Sequence, residues 1–352
     1  MSLQALQERI REAAARRRAL RVRGGGTKDF YGNAAEGDVL DTRGYAGVVS
    51  YEPTELVLTA RCGTPLRELE QVLAERGQCL AFEPPHFGEG ATFGGCLGAG
   101  LSGPRRAFAG AARDFVLGAK VLDGRGRALA FGGQVMKNVA GYDVSRLLVG
   151  SLGTLGVIAE ASVKVLPRPP EEATLQLELD LPEALERMNV WAGQPLPLSG
   201  TAWHEGRLFV RLSGSASALQ SARRRIGGAA LEGDAARRLW CDIREHAHPF
   251  FAGAQPLWRL ALPSTAAPLA LEGAQLVEWC GALRWLRSDA PPEHIRAAAA
   301  RAGGHATLFR ASRKDVEAFA PLDAAKLRLH RALKAVFDPE GVLNPGRMYR
   351  AF

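Results

Sequence analysis

The sequence predicts an α+β protein of more than one domain, and three observations support this. The chain has 352 residues, which favours two domains, each large enough to bury its own core. Its composition changes at Pro167-Arg168-Pro169-Pro170, which is typical of a linker. Glycines are dense and motif-like before this linker, whereas strand and helix candidates alternate after it. That alternation predicts an α+β domain in the second part of the chain.

The part before the linker begins with an amphipathic pattern. Leu3, Leu6 and Ile10 have helical spacing, which predicts a helix over residues 3–20 with a strand beginning at Ala19. Thr64-Pro65 predicts a helix start with a hydroxyl cap, and Gly77 predicts its end. Further candidates are strands at 48–51, 56–61 and 157–166, and a hairpin over 115–131.

The part after the linker repeats short elements of both kinds. The predicted order is a strand at 174–181, a helix at 183–193, a hairpin at 200–212, helices at 215–226 and 235–247, strands at 258–262 and 276–287, and helices at 293–302 and 323–336. His246-Ala247-His248 has a spacing that suits a metal on a strand, but it falls at the end of a predicted helix, where i and i+2 diverge. We interpret it as a surface helix end.

Composition narrows the classes of function. The five cysteines, at 62, 79, 96, 241 and 280, are odd in number and lack metal-ligand spacing, so we expect a reducing cytosol and no metal site. No apolar run approaches the ~18 residues that span a membrane. The net charge is +8, but the basic residues are spread along the chain among acidic ones. We therefore expect no nucleic-acid partner.

A glycine run follows the first predicted strand. Arg23-Gly24-Gly25-Gly26-Thr27 can adopt positive φ and approach a ligand without Cβ clashes. Successive N–H groups in such a turn bind anions, so a phosphate or pyrophosphate is one interpretation. An ordinary tight turn is the other.

A second glycine motif resembles a dinucleotide fingerprint. Gly98-Ala99-Gly100-Leu101-Ser102-Gly103 satisfies G-x-G-x-x-G, which requires a preceding strand and a helix opening within the motif. Pro104 lies too late for such a helix, where it would remove a backbone donor. We therefore do not predict a Rossmann site.

Glycines in separate segments are more informative together. They cluster at 23–32, 92–110, 137–141 and 150–156. Close backbone approach to a large flat ligand needs small residues at several separated points, which one turn cannot supply. We expect these four segments to converge on a single ligand.

These segments resemble the vanillyl-alcohol-oxidase-type (PCMH-type) FAD-binding family over residues 19–168. The carrying motifs are Arg23 to Thr27, Thr92-Phe93-Gly94-Gly95, Ser102-Gly103-Pro104, residues 113–118, 137–143 and 150–158, and the C-terminal Asn344-Pro345-Gly346-Arg347. Gly303-Gly304-His305 through Arg310 is similar to the FAD-binding subunits of bacterial glycolate oxidases. The resemblance implies a two-subdomain FAD-binding domain at 1–168, a smaller ferredoxin-like α+β cap domain at 169–312, and a segment at 313–352 that returns to the FAD domain.

The resemblance also implies contacts with FAD at the matching positions. The pyrophosphate loop would be Arg23, Gly24, Gly25, Gly26, Thr27 and Lys28. The flavin and ribityl region would be lined by Gly94, Gly95, Ser102 and Gly103, with Lys137, Asn138 and Gly141 beside the cofactor. The adenine side would meet Gly156, Val157 and Ile158, and Asn344 would cover the flavin. The alternative for each residue is a turn or a packing role.

Two departures from the family limit the mechanism. Many members attach FAD through a histidine in the pyrophosphate loop, where this chain has Thr27, so we expect non-covalent FAD. Related 2-hydroxy-acid dehydrogenases carry a His-x-Gly-Asp-Gly-Asn motif that does not occur here. Arginine is the natural partner of a substrate carboxylate. The candidates are Arg105, Arg106, Arg259, Arg284 and Arg310, and we assign no catalytic residue.

The resemblance predicts the FAD-binding subunit of a complex that oxidises glycolate, a small 2-hydroxy acid. The expected partners are a second flavoprotein subunit and an iron–sulfur subunit that passes electrons toward quinone. The expected location is the cytoplasm, at the inner face of the membrane through the complex. Alternatives are a self-contained FAD-dependent 2-hydroxy-acid dehydrogenase and a structural subunit that binds FAD weakly.

Overall fold

The chain divides into two compact units. The computed structural model describes residues 1–133, 143–231, 233–312 and 315–352. The first unit comprises 1–101, 111–167 and 321–352, and the second comprises 102–110 and 168–320. The predicted division placed 102–110 in the first domain and put the last boundary at 312. Both units combine helices with sheets, so the α+β fold class is confirmed.

The elements are numbered in chain order over the described residues. The helices are α1 (Leu3–Arg16), α2 (Leu66–Ala74), α3 (Phe93–Ala99), α4 (Arg106–Ala109), α5 (Ala112–Phe115), α6 (Val144–Leu147), α7 (Leu181–Ala192), α8 (Ala216–Ile226), α9 (Gly233–Glu245), α10 (Pro292–Arg301) and α11 (Ala324–Phe337). Short 3₁₀ turns lie at Pro249–Phe251 and Trp279–Gly281.

The strands follow the same numbering. They are β1 (Leu20–Arg23), β2 (Asp38–Asp41), β3 (Val48–Glu52), β4 (Val57–Arg61), β5 (Gln78–Cys79), β6 (Val116–Leu122), β7 (Ala128–Gly132), β8 (Val157–Lys164), β9 (Leu166–Pro167), β10 (Glu171–Glu178), β11 (Leu198–His204), β12 (Arg207–Gly214), β13 (Ala229–Leu231), β14 (Leu257–Ala261), β15 (Ala274–Glu278), β16 (Leu283–Arg287) and β17 (His305–Arg310).

The first unit is built on an antiparallel sheet in the order β3-β4-β8-β6-β7, beside a parallel pair β1-β2. Central strand β8 pairs with β4 and β6 and is buried on both faces over most of its length, and its Val157 and Ala159 pack in the same cluster as α1. Leu6 and Ile10 of α1 pack with Leu20 and Val157 in one hydrophobic cluster. This packing places the end of β1 and the start of β8 in the same part of the unit.

Two predicted boundaries in this unit are wrong for local reasons. Helix α1 ends at Arg16 because Arg17 adopts a left-handed φ of 50° before β1. The first residue outside α2 is Pro65, and Thr64 does not cap the helix. The Thr64 hydroxyl instead donates to the Arg61 carbonyl at 2.6 Å and accepts from the Gly47 N–H at 2.8 Å.

The second unit contains an eight-stranded sheet in the order β13-β10-β12-β11-β15-β16-β14-β17. Elements β10-α7-β11-β12-α8-β13 follow the βαββαβ order of ferredoxin-like folds, as predicted. Helices α7, α8 and α10 bury their apolar residues against one face of this sheet. Trp240 and Ile243 of α9 pack with Ala202 and Phe209 in a separate cluster.

The predicted strand over 276–287 is two strands. Trp279 and Cys280 have φ of 53° and 55° and Gly281 has φ of 99°, so the chain reverses between β15 and β16. The Trp279 indole N–H donates to the Gly103 carbonyl at 3.0 Å, within the same unit. This bond helps to hold the 102–110 segment on the second unit.

Candidate functional site

A cleft in the first unit brings together three of the predicted glycine segments. It comprises about 820 Å³ of space, a figure that includes solvent at its open side. Residues 21–29, 92–99 and 152–158 line it, together with Asn344 and Arg347. The predicted site residues that line it are Arg23, Gly24, Gly25, Gly26, Thr27, Lys28, Gly94, Gly95, Gly156, Val157, Ile158 and Asn344.

Two of the described site residues that we predicted do not line the cleft. Ser102 and Gly103 belong to the second compact unit, and the Gly103 carbonyl accepts from Trp279 there. Lys137, Asn138 and Gly141 lie outside the described residues. Three of the predicted segments therefore meet at one cleft, and the segment 137–141 lies outside the residues that the structure describes.

Several residues that line the cleft were not predicted from the sequence. The main ones are Arg21, Asp29, Thr92, Gly98, Leu152, Gly153 and Arg347. Gly98 was visible as part of the misleading fingerprint, and Arg347 as part of the C-terminal motif. Arg21 and Asp29 flank the glycine run, but nothing in their spacing distinguishes them from surface charges.

The glycine loop after β1 presents unpaired backbone donors. Within the described part of the chain, no protein group accepts a hydrogen bond from the N–H groups of Gly24, Gly25, Gly26 or Thr27. Gly26 has a φ of 75°, and a Cβ at Gly25 would overlap the carbonyl oxygen of Gly90. The loop thus needs glycine to pack against protein, and its free donors form an anion-binding concavity.

Charged side chains give the cleft an excess of positive charge. Arg21 Nη2 and Arg23 Nε both contact Asp29 Oδ2, at 2.5 and 2.7 Å. Arg347 donates to the carbonyls of Asn33 and Asp29 at 2.7 and 3.0 Å, and burial lowers the pKa of its guanidinium. Among the described residues, one carboxylate and four cationic side chains line the cleft. The carboxylate is that of Asp29, and the cations are Arg21, Arg23, Lys28 and Arg347. This excess of three charges suits a dianionic pyrophosphate.

Helix α3 forms one wall of the cleft, although sequence reasoning treated residues 92–110 as a loop. The Thr92 hydroxyl caps it by accepting from the Gly95 N–H at 3.2 Å. Gly94 lies so close to Cys62 that an added Cβ would come within 2.8 Å of the Cys62 Cβ. Gly98 differs, because a Cβ there would meet no atom within 4 Å. Gly98 therefore faces the open part of the cleft.

Asn344 joins two walls of the cleft. It has a φ of 43°, which asparagine tolerates better than most residues. Its Oδ1 accepts from the Val22 N–H at 2.7 Å, and its Nδ2 donates to the Leu152 carbonyl at 2.6 Å. The amide thus connects the end of β1 to the segment that precedes β8.

A buried ion pair holds the C-terminal segment that carries Asn344. Lys334 Nζ contacts Asp338 Oδ2 at 2.7 Å and donates to the carbonyls of Thr154 and Leu343 at 2.8 and 2.7 Å. Burial lowers the pKa of Lys334, against the opposing effect of Asp338. The ammonium therefore ties α11 to the segment that precedes β8 and to the C-terminal segment that carries Asn344.

The five arginines proposed for a substrate carboxylate have different surroundings in the second unit. Arg284 is buried and donates to backbone carbonyls, among them that of Ala267 at 2.7 Å, and Arg105 pairs with Glu172. Arg106 and Arg259 lie over the Trp279 ring, at 4.4 and 5.3 Å from its centroid. Arg310 lies at 6.0 Å from the Phe309 centroid, and burial lowers its pKa.

The histidine pair of the second unit has a different setting from the one predicted. His246 follows the end of α9 with a φ of 57° and stacks on Phe251 at 3.8 Å between ring centroids. Burial, followed by the charges of Arg310 and Arg259, holds its pKa well below the ordinary value. His246 therefore lies at a helix end as expected, but its ring packs among aromatic side chains rather than at the surface.

Comparison with known proteins defines the class first. Residues 1–132 match the family model described as "FAD binding domain", and residues 312–348 match "FAD linked oxidases, C-terminal domain". The solved structure of an alkyldihydroxyacetonephosphate synthase matches with a TM-score of 0.66 and 14% identity, over 97% of this chain and 74% of that one, which shows the fold. The chain is an FAD-dependent oxidoreductase of the FAD-linked oxidase class, and its fold is of the predicted PCMH type.

The relatives define the family. The chain is 48% identical to the glycolate oxidase subunit GlcE of Escherichia coli over 98% of its own length and 97% of that protein. It is 38% identical to the glycolate oxidase subunit GlcD of Bacillus subtilis, over 34% of this chain and 25% of that one. A D-lactate dehydrogenase of Archaeoglobus fulgidus is 34% identical over 44% of this chain and 35% of its own. The chain belongs to the family of the glycolate oxidase subunit GlcE.

The helices were also compared with the length and apolar character of membrane-spanning segments. Among the described residues, no helix is both long enough and apolar enough to cross a bilayer.

Proposed function

We propose that this chain is the FAD-binding subunit of a glycolate oxidase complex, and that it holds FAD non-covalently in the cleft of its first unit. The observation that carries the proposal is the set of unpaired N–H groups at Gly24–Thr27 beside an excess of cationic side chains. The relationship to GlcE over nearly the full length supports the substrate and the role as a subunit.

The residues of the cleft fit FAD in charge and shape. The loop Gly24–Thr27 binds the pyrophosphate, with Arg23, Lys28 and Arg347 nearby to balance its charge. Gly98 leaves open space along α3 for a flat ring system, whereas Gly94 lets the helix pack closely against Cys62. Bound FAD supplies the acceptor for a hydride equivalent from the alcohol carbon.

The absence of an attachment residue supports non-covalent binding. Covalent flavin attachment needs a nucleophilic side chain next to the ring. The described residues that line the cleft include no histidine, cysteine or tyrosine. Non-covalent FAD exchanges with free FAD and is released when the protein unfolds.

The complex completes the proposed function. A second flavoprotein subunit and an iron–sulfur subunit accept the electrons, and the complex works in the cytoplasm at the inner face of the membrane. Ser102, Gly103, Lys137, Asn138 and Gly141 remain proposed cofactor contacts.

Gly98 gives a sharp test of the cofactor site. Gly98→Leu adds a side chain at a position where a Cβ meets no atom within 4 Å, so it should obstruct FAD and leave the fold intact. Gly98→Ala adds one carbon and should retain FAD. Gly193→Leu is the matched control, because Gly193 caps α7 with negative φ and an added Cβ meets only ordinary contacts there.

The measurement is the flavin absorbance of each purified protein before and after acid precipitation. We expect yellow wild-type, Gly98→Ala and Gly193→Leu proteins that release their colour to the supernatant, and a colourless Gly98→Leu protein with wild-type circular dichroism. A Gly98→Leu protein with full flavin content would show that FAD binds elsewhere. Full glycolate dehydrogenase activity of the isolated wild-type chain would contradict the role as a subunit.

A further inference from the structure

Helix α11 carries an apolar stripe on its solvent face. Leu329 and Val336 are 66% and 67% exposed. Ala325, which precedes Leu329, and Ala332, which lies between the two, are also exposed. The spacing of 4, 3 and 4 residues places these four side chains along one narrow face of a helix. Lys334 points to the opposite side and is buried in the first unit. The helix is thus anchored on one face, and its other face is exposed in the part of the chain that the structure describes.

Basic residues border this stripe. Arg328 and Arg331 are exposed along one edge, and within the described part of the chain they have no ion-pair or hydrogen-bond partner. Lys326, on the other edge, pairs with Asp323 at 2.9 Å. The Arg16–Arg18 run lies beyond the C-terminal end of the helix, where Arg17 contacts Glu340 at 3.5 Å.

The charge pattern indicates which partner fits the stripe. A second copy of this chain would bring Arg328 and Arg331 against another basic edge, which is unfavourable in a symmetric interface. A membrane surface attracts basic residues, but interfacial helices also need a broad apolar face with Trp, Phe or Leu. This stripe has two large aliphatic side chains and no aromatic residue. A protein surface with a narrow apolar groove and an acidic edge complements both the aliphatic side chains of the stripe and the arginines beside it.

We propose that the α11 stripe, defined as Ala325, Leu329, Ala332 and Val336, docks a different subunit of the complex through an apolar groove edged by carboxylates. This inference rests on the proposed function, which supplies the existence of partner subunits. Leu329 and Val336 fill the groove, and Arg328 and Arg331 pair with its acidic edge. The buried face of α11 holds the C-terminal segment of the cofactor cleft, so the docked subunit contacts a helix that supports the cleft.

The test uses the full chain co-expressed with the other subunits of its own glycolate oxidase and purified through a tag on this chain. Leu329→Lys combined with Val336→Lys should weaken subunit binding at least about a hundredfold, since two side chains that become buried are replaced by charges. Arg328→Glu combined with Arg331→Glu should weaken binding and reduce its dependence on salt. Val190→Lys, at a 50% exposed valine of α7, is the control and should bind as wild type.

Flavin content and circular dichroism of each variant report an intact fold. A Leu329→Lys, Val336→Lys protein that binds the partner subunits with wild-type affinity overturns the docking surface while leaving the proposed function in place. A wild-type chain that binds none of them overturns both. Concentration-dependent dimerisation of the wild type, or binding to phosphatidylglycerol vesicles, that the double substitution abolishes would assign the stripe to a second copy or a membrane and overturn the proposal.

Discussion

The buried ion pair of α11 makes a quantitative prediction about the coupling between stability and cofactor binding. The side chains of Lys334 and Asp338 are 7% and 0% exposed. Lys334→Met keeps the aliphatic bulk but removes the ammonium that contacts Asp338 and the carbonyls of Thr154 and Leu343. Breaking a buried pair from one side costs ~3–5 kcal/mol, because the remaining charge is left uncompensated.

The structure places the expected loss near the lower end of that range. Asp338 keeps two backbone donors, the N–H groups of Val342 at 3.1 Å and Leu343 at 2.7 Å. We therefore expect Lys334→Met to lower the free energy of unfolding by ~3 kcal/mol. FAD affinity should fall as well, because Lys334 holds the segment that carries Asn344.

The assay is urea unfolding followed by circular dichroism, with FAD affinity measured by flavin fluorescence. Lys326→Met is the matched control, since its pair with Asp323 lies on the surface of the same helix, and it should change stability by less than ~0.5 kcal/mol. Adding Asp338→Asn to Lys334→Met should recover part of the loss, because the unpaired charge disappears. The reasoning is refuted if Lys334→Met lies within ~1 kcal/mol of wild type.

Two further predictions concern other sites. Asn344→Ala leaves the Val22 N–H and the Leu152 carbonyl without partners, so FAD affinity should fall ~tenfold or more. Asn344→Gly removes the same amide, but glycine tolerates the positive φ. In urea unfolding, the glycine variant should therefore be more stable than the alanine variant by ~1 kcal/mol. The pKa of His246 is low in the folded protein. As the pH falls below ~6.5, His246 is therefore protonated in the unfolded chain but stays neutral in the folded one. The free energy of unfolding should then decline by up to ~1.4 kcal/mol per pH unit. His246→Phe keeps the stack on Phe251 and should flatten this decline in urea titrations followed by tryptophan fluorescence, whereas equal slopes would contradict the assignment.

Much of the cofactor cleft could be predicted because glycine marks it locally. The run Gly24–Gly26 reveals a turn whose backbone a side chain would obstruct, and the structure places it at the end of β1. We expected glycine to be needed so that a ligand can approach the backbone. At Gly25, however, the group that leaves no room for a side chain is the Gly90 carbonyl. A glycine pattern therefore locates a close approach without showing what approaches.

The parts that could not be predicted depend on tertiary contacts. Helix α3 contains Gly94, Gly95 and Gly98, which are poor helix formers, and it forms because Thr92 caps it and Phe93 and Leu97 are buried. The reversal at Trp279 and Cys280 requires positive φ at two residues that rarely adopt it. The transfer of Ser102 and Gly103 to the second unit likewise depends on contacts such as that with Trp279.

The bond between Asn344 and Val22 joins residues that are 322 positions apart, and this has a consequence for biosynthesis. β1 also forms a parallel bridge between Leu20 and Leu343. During translation, the glycine loop is therefore made long before Asn344, which contributes to one wall of the same cleft. This wall of the cleft therefore forms only after Asn344 has been made, and a chain terminated before residue 344 lacks the amide that joins Val22 to Leu152.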